Sequence, residues 1–325
     1  MQYSNLSLKS LELFQMVAKS GSVQKVAQDT GLSISTVSHH LRRLEDNLNV
    51  SLLDHARRPM VLTPAGVNFL RYVEGALRLI RKGEVQLKSG NLAEARELRL
   101  GIVDDFDSEI APELAQLLAG AMPKCTFRHH TRPSHEIIQL LMENRLDVGV
   151  ATRPVNDVPG LVEYPLLRDP FVLVVPANHG AAPEDFLAGQ TSLPFLRYAR
   201  DQIIGGRIEA HLRRLRISLP NRFELESNQS LIGMVAEGSG WAITTPAGYL
   251  RAKRFHRQVR LHPYPGKGFT RMLSLYTTEL YVLPVAEMIL TTLRRLIDVH
   301  FMKFAHAEMP WLADSFYLMP DIDAR

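Results

Sequence analysis

Residues Gly31 to Glu45 read GLSISTVSHHLRRLE, and the spacing of their apolar side chains decides the fold of the N-terminal region. Val37, Leu41, Leu44 and, just beyond, Leu48 recur every three or four positions, which makes one face of an α-helix. Ser33 stands where an N-cap belongs, and Gly31 supplies a turn ahead of it. The other face carries Ser35, Thr36, His39, Arg42 and Arg43. Short hydroxyls and an imidazole near a helix N-terminus suit base edges, and arginines one or two turns later reach phosphates or guanine. A three-helix bundle with a solvated face accounts for the same residues, so the flanking sequence has to decide.

Upstream, Leu8, Leu11, Phe14, Val17 and Ala18 follow helical spacing until Lys19-Ser20-Gly21-Ser22 breaks it. Ser22 is placed to cap a short second helix whose Val23, Val26 and Ala27 face one way. Two short helices joined by a tight glycine turn make a helix-turn-helix, whose second helix offers its exposed N-terminal half to a major groove. Candidate DNA contacts are therefore Ser22, Ser33, Ile34, Ser35, Thr36, Ser38, His39, Arg42 and Arg43.

Downstream, strand-like runs over 50–53 and 60–63 flank a hairpin tip carrying Arg57 and Arg58, a wing for the sugar-phosphate backbone. Thr63-Pro64 opens a long helix in which Leu70, Val73, Leu77, Ile80 and Leu87 predict a coiled-coil seam, with Glu84 off pattern. A two-fold dimer presenting two readers suits a palindromic site. His39 and His55 beside phosphates would bind more weakly as pH rises and their charge is lost; the alternative is that both are neutral donors.

Composition supports this layout. The chain has 325 residues, 46% of them hydrophobic, enough for two or three domains. One cysteine, Cys125, excludes an internal disulfide framework; a start without a signal-peptide pattern and the lack of a long apolar run favour a cytoplasmic location. Residues 1–90 hold 12 Lys and Arg against 7 Asp and Glu, whereas residues 91–325 hold 26 against 27, so the basic surplus lies in the first quarter.

The stretch LELFQMVAKSGSVQKVAQDTGLSISTVSHHLRRLEDNLNVSLL, then RRPMVLTPAG and the helix after it, resembles the winged helix-turn-helix and linker helix of the LysR-type transcriptional regulators. Departures are Ile34-Ser35 where the family commonly has Gln-Pro, His39 for a common Arg, and Leu53 and His55 where Phe and Arg are usual. They leave the base sequence read by this helix open.

Beyond residue 97, strand-like and helical segments alternate, which predicts parallel sheet covered on both faces. The blocks LRLGIV, ENRLDVGVATRP, YPLLRDPFVLVVPANH and NQSLIGMVAEGSGWAITTP also resemble the LysR type. That resemblance implies an effector domain of two α/β subdomains similar to type 2 periplasmic binding proteins. The expected division is an all-α winged helix-turn-helix over 1–63, a linker helix over 64–90 and a hinge over 91–97. The effector domain follows, with subdomain 1 over 98–164 and 265–304 and subdomain 2 over 165–264, and then a C-terminal extension over 305–325. The extension contains Trp311, Phe316, Tyr317 and Leu318, too apolar for a free end, and should dock on a body or partner.

Ligands of open α/β sheets bind beyond the carboxyl ends of strands. The candidate effector residues there are Asp104, Asp105, Phe106, Thr131, Arg132, Ser134, Arg153, Asn228 and Thr245. Ser134 is expected to cap its helix. Two acids after the first strand favour an amine, guanidine or quaternary ammonium, with Phe106 as a cation-π face. Against this, Asp105 or Asp107 could cap the next helix and Asp104 pair with Arg132 or Arg153.

No catalytic residue, metal site or cofactor is expected. The Asp104, Asp105, Asp107, His129 and His135 group lacks metal-ligand spacing, and the glycine pairs near 205, 239 and 267 lack the rest of a phosphate cradle or nucleophile elbow. Cys125 is read as a small packed residue. The expected partners are a pseudo-palindromic double-stranded promoter site, a small-molecule effector, other copies of the chain as a dimer and, by the resemblance, a tetramer, and RNA polymerase, with no membrane. The alternative is an α/β enzyme or solute-binding module with an accessory DNA-binding segment, which would need a catalytic pair that the sequence does not supply.

Overall fold

The computed structural model describes residues 6–87, 97–278 and 283–320. The chain divides into two compact units, Met1–Ser89 and Gly90–Arg325. The first contains α1 (Leu8–Ser20), α2 (Val23–Thr30), α3 (Ile34–Leu48), β1 (Leu53–Asp54), β2 (Val61–Leu62) and α4 (Pro64–Leu87). Ser7, Ser22 and Ser33 cap the three short helices by accepting from the amides of Ser10, Lys25 and Thr36. Each such cap contributes about 1 kcal/mol. Between α2 and α3 the chain turns at Gly31, whose φ of 70° is left-handed.

The core of this unit joins Leu13, Phe14, Val26, Val37 and Leu41 to Leu52 and Leu53 at the wing base and to Val73 and Leu77 of α4. This corrects the expected seam. Val73 and Leu77 are each 2% exposed and complete the core of their own chain. The reason is size: three short helices cannot enclose a core alone, so α4 lies against α1 and spends part of its apolar stripe there. Leu70 packs at the edge of the same core, and Ile80 stays exposed together with Val67 and Tyr72. The side chain of Leu87 lies outside the described residues. Gly66 allows α4 to start against the wing, because a Cβ there would lie 2.0 Å from the carbonyl oxygen of Leu52.

The second unit contains strands β3 (Glu97–Ile102), β4 (Thr126–Thr131), β5 (Val148–Thr152), β6 (Leu161–Pro170), β7 (Val172–Pro176), β8 (Phe195–Tyr198), β9 (Phe223–Leu225), β10 (Trp241–Thr244), β11 (Val259–Pro263), β12 (Thr270–Thr278) and β13 (Tyr317–Leu318). Its helices are α5 (Ile110–Ala121), α6 (Ser134–Met142), α7 (Pro183–Leu187), α8 (Ile203–Arg214), α9 (Asn228–Ala236), α10 (Pro246–Arg251), α11 (Leu283–Ile297) and α12 (Lys303–Glu308). One sheet has the order β13-β6-β12-β5-β3-β4 and the other β11-β7-β10-β8-β9.

Neither sheet is purely parallel, which corrects the sequence expectation. β12 runs antiparallel to β5 and β6, and β7 antiparallel to β10 and β11. The cause is the double crossing between lobes: β6 continues into β7 at Phe171, and β11 returns to β12 over 264–269. Phe171 and Phe269 stack at 4.1 Å where the two crossings meet. Because β6 stays in the first sheet as far as Pro170, the change of sheet falls beyond the expected boundary at 164/165. Pro165 is tolerated inside β6 because it sits at a register irregularity opposite Leu273 and Ser274.

The C-terminal extension docks on its own chain. β13 pairs with β6, Tyr317 opposite Arg168 and Leu318 opposite Leu167, and covers what would otherwise be an open sheet edge. Phe316 and Leu312 are fully buried beneath it, and the Arg168 guanidinium donates to the Ser315 carbonyl at 2.6 Å. Trp311 remains 40% exposed.

Candidate DNA-reading surface and effector cleft

On α3 the polar face is exposed as its spacing requires. Ile34, Ser35, His39, Arg42 and Arg43 are exposed, while Thr36 and Ser38 are half-buried. The hydroxyl of Ser33 lies 2.7 Å from those of Ser35 and Thr36, so three side-chain oxygens cluster at the helix N-terminus. Arg42 and Arg43 have no ion-pair partner among the described residues. Ser22 is occupied in capping α2. In the wing, Arg57 contacts Asp54 at 3.2 Å and Arg58 donates to the carbonyls of His55 and Arg57.

Glu45, on the inner side of α3, was not singled out from sequence. Its carboxylate accepts from the amides of Leu52 and Leu53 at 2.7 and 3.0 Å and meets His55 Nε2 at 2.8 Å. One side chain thus fixes the wing to the reading helix. His55 finds its anion inside the protein, which departs from its expected place beside phosphates. His39 remains exposed.

In the second unit, a cavity of about 40 Å³ lies between the lobes. Asp104, Asp105, Ser134 and Asn228 line it, in company with Tyr198, Gln202, Glu226 and Arg271, which the sequence reading did not include. The other five expected residues lie elsewhere. Phe106 is 1% exposed and packs on Phe301 at 5.6 Å, so it offers no face to a cation. Thr131 is half-buried at the end of β4, and Arg132 pairs with Glu136 at 3.5 Å. Arg153 Nε donates to both carboxylate oxygens of Glu163, at 2.7 and 2.9 Å. Thr245 is buried behind the cavity, where it caps α10 and accepts from Arg271. Ser134 does not cap α6; its Oγ accepts from the Thr152 amide at 3.0 Å and ties α6 to the end of β5.

The acids after β3 are paired with arginines that sequence proximity does not reveal. Arg251, at the end of α10, bonds Asp107 at 2.7 and 2.8 Å and Asp104 at 3.3 Å. Arg271, in β12, contacts Asp105 at 2.9 Å and Asp169 at 2.8 Å. Neither Arg132 nor Arg153 takes Asp104, and the turn at Asp104–Phe106 leaves α5 without an aspartate cap. Arg271 and Asp169 stand directly opposite on the crossing strands, so strand register creates their contact. Burial disfavours the Arg271 cation, but the carboxylates of Asp105 and Asp169 outweigh it and hold it charged. Burial also raises the Asp169 carboxyl above the ordinary range, against the pull of Arg271. For Asp104, partial desolvation of the carboxylate and then the Asp105 charge raise the pKa to about 6.

Cys125 lies just before β4 and does not line the cavity. Burial, followed by the charges of Asp147 and Glu97, pushes its thiol up to about 11, so it is a poor nucleophile at neutral pH.

A winged helix-turn-helix with an unpaired basic face, joined to a two-lobed α/β unit with a polar cleft, defines a ligand-responsive DNA-binding protein. Residues 8–67 match the family described as "Bacterial regulatory helix-turn-helix protein, lysR family", and residues 92–296 match "LysR substrate binding domain". The chain belongs to the LysR family of transcriptional regulators and is not an enzyme. It is 28% identical over 244 residues to the uncharacterized HTH-type transcriptional regulator YfeR of Shigella flexneri, covering 74% of this chain and 78% of that protein. Among solved structures it resembles a Corynebacterium glutamicum OxyR C206 mutant, with a TM-score of 0.63 at 19% identity over 95% of this chain and 97% of that one. It also resembles full-length CbnR complexed with its target DNA, with a TM-score of 0.56 at 16% identity over 89% and 99%.

Proposed function

We propose that this LysR-type regulator reads a pseudo-palindromic promoter site with α3 and the wing, and that a small effector carrying a cationic nitrogen, bound between the lobes, switches it. The DNA half is carried by Arg42 and Arg43, exposed and unpaired beside the hydroxyl cluster of Ser33, Ser35 and Thr36. Ile34, Ser38 and His39 complete the face offered to bases, and Arg57 and Arg58 lie where a wing meets phosphates. Two copies pair through what α4 leaves exposed, Val67, Tyr72 and Ile80, with Leu70 at the margin. Assembly to a tetramer, contact with RNA polymerase and a cytoplasmic location follow from the family reading. Among the described residues no helix is long and apolar enough to cross a membrane.

The effector half is carried by the cavity lining, where Glu226 has no cation partner among the described residues and Asp104 and Asp105, with Asp107 and Asp169 behind them, share only the guanidiniums of Arg251 and Arg271. An excess of carboxylates favours a cation over an anion. A switch requires that the ligand prefer one arrangement of the lobes, and a cavity bounded by both lobes provides that preference. A thiol-based response is disfavoured by the high pKa of the sole cysteine.

The test of the DNA half is binding of the full chain to duplex from upstream of its own gene, titrated with salt. A linear log-log fall, with a slope of about 0.9 per phosphate contact, is expected and should become shallower in Arg42→Gln. A flat response, or equal affinity for every duplex, would refute it. For the effector half, a thermal-shift screen of cationic against anionic metabolites is decisive, and stabilisation by dicarboxylates alone would refute it.

A further inference from the structure

One part of the cavity has no use for a cation. Arg271 is 4% exposed and lines the cavity. Its Nε and Nη2 are taken by Asp169, Asp105 and Thr245, and Nη1 has no partner among the described residues. Ser134, 9% exposed, lines the same cavity; its oxygen accepts from Thr152, while its O–H donates to no described residue. Both donors line the cavity without a protein acceptor among the described residues, and a single carboxylate could accept from both. Toward solvent the chemistry reverses. The Asp104 side chain keeps 40% exposure, and the exposed Glu226 has no cation partner among the described residues.

We propose that the effector is a zwitterion of the amino-acid class, its carboxylate on Arg271 Nη1 and the Ser134 hydroxyl, its ammonium between Asp104 and Glu226. This rests on the cationic-effector reading above and adds the anionic end. Direction follows from burial: carboxylate inward, ammonium outward. Asp104 belongs to the lobe of β3 and Glu226 to the lobe of β9, so one ammonium group ties the lobes together. Glu226 is then a specificity residue, rejecting the deaminated acid, while Arg271 and Ser134 reject the decarboxylated amine. The cavity is open on one side, so an amino-acid side chain would extend toward its mouth.

The experiment is calorimetric titration of the full chain with a panel of amino acids, each beside its decarboxylated amine and its deaminated acid. At least one amino acid is expected to bind about tenfold or more tightly than both truncated forms, because each loses a charged hydrogen-bonded pair. An amine binding as tightly as its amino acid overturns the zwitterion and leaves the cationic reading intact. An acid binding as tightly overturns both, and a panel in which no amino acid binds overturns the zwitterion. Glu226→Gln, at an exposed position that should fold normally, is expected to weaken the amino acid about fivefold or more and leave the deaminated acid unchanged. Equal weakening of both ligands, or of neither, removes Glu226 from the site. Ser134→Ala, checked for native melting, should weaken the amino acid and spare the amine; the reverse pattern contradicts the assigned direction.

Discussion

Arg42 and Arg43 stand in solvent on α3 with no ion-pair partner among the described residues, whereas Arg251 and Arg271 in the cleft are each held by two aspartates. The contacts that hold them cross long stretches of chain: Arg251 reaches Asp107 across 144 positions and Arg271 reaches Asp169 across 102. The two arrangements suit two kinds of ligand. A helix that grips a polyanion leaves its cations free, so that phosphates become their partners and counterions are released. A cleft that must close on a small ligand keeps its charges matched within the protein, so that little unpaired charge is buried when the ligand is absent.

Arg271 is the position whose loss is expected to have the largest effect. Arg271→Ala leaves Asp105 and Asp169 buried without their cation and is expected to cost the second unit about 3–5 kcal/mol. Denaturant unfolding followed by tryptophan fluorescence reports this unit alone, since Trp241 and Trp311 are the only tryptophans. A loss below about 1 kcal/mol would mean that the buried pairs are not what holds the lobes.

Next comes Leu77, which separates core from seam. Leu77→Ala should cost the first unit about 2–5 kcal/mol and leave the tryptophan transition in place, because it empties a core position. Ile80→Ala should change stability by less than about 0.5 kcal/mol and weaken self-association, measured by sedimentation. If Leu77→Ala instead folded normally and only separated the copies, the long helix would use its whole stripe between chains.

A smaller effect is expected at Asp104. The Asp104 carboxyl holds its proton up to about 6 against an ordinary value of 3.8. A cation binds the ionised form, so its affinity should be complete above pH 6 and fall as pH drops below it, by at most about tenfold per pH unit. Calorimetry of a cationic ligand on either side of that value checks it, and affinity rising toward acid would contradict the assignment. The smallest effect is on the reader: Ser33→Ala removes one cap and should cost about 1 kcal/mol of first-unit stability by thermal melting.

How much of this was legible in the sequence differs by region for a physical reason. The helices of the reader, their serine caps and the exposure of Arg42, Arg43 and His39 follow from spacing, because a helix fixes which side chains share a face within four or five residues. Val73 and Leu77 show the limit even there: a 3-4 pattern marks a buried stripe but not whether a neighbouring helix or another chain buries it. Of the residues expected at an effector site, Asp104, Asp105, Ser134 and Asn228 do line the cavity, because strand ends point to them. Arg271, Tyr198 and Glu226 carried no local signal, since each enters through the pairing of strands or helices far apart in the chain. The tail was readable as apolar, but its seat on β6 was not.

Local sequence specifies a winged reader with a basic surplus, a long helix after it and an α/β unit of two lobes, because periodicity, caps and turns act over a few residues. Long-range packing sets which apolar stripe closes on its own chain, and which carboxylates after β3 meet Arg251 and Arg271. Those outcomes depend on strand register and lobe crossing, where a single contact joins positions more than a hundred residues apart and no local pattern records it.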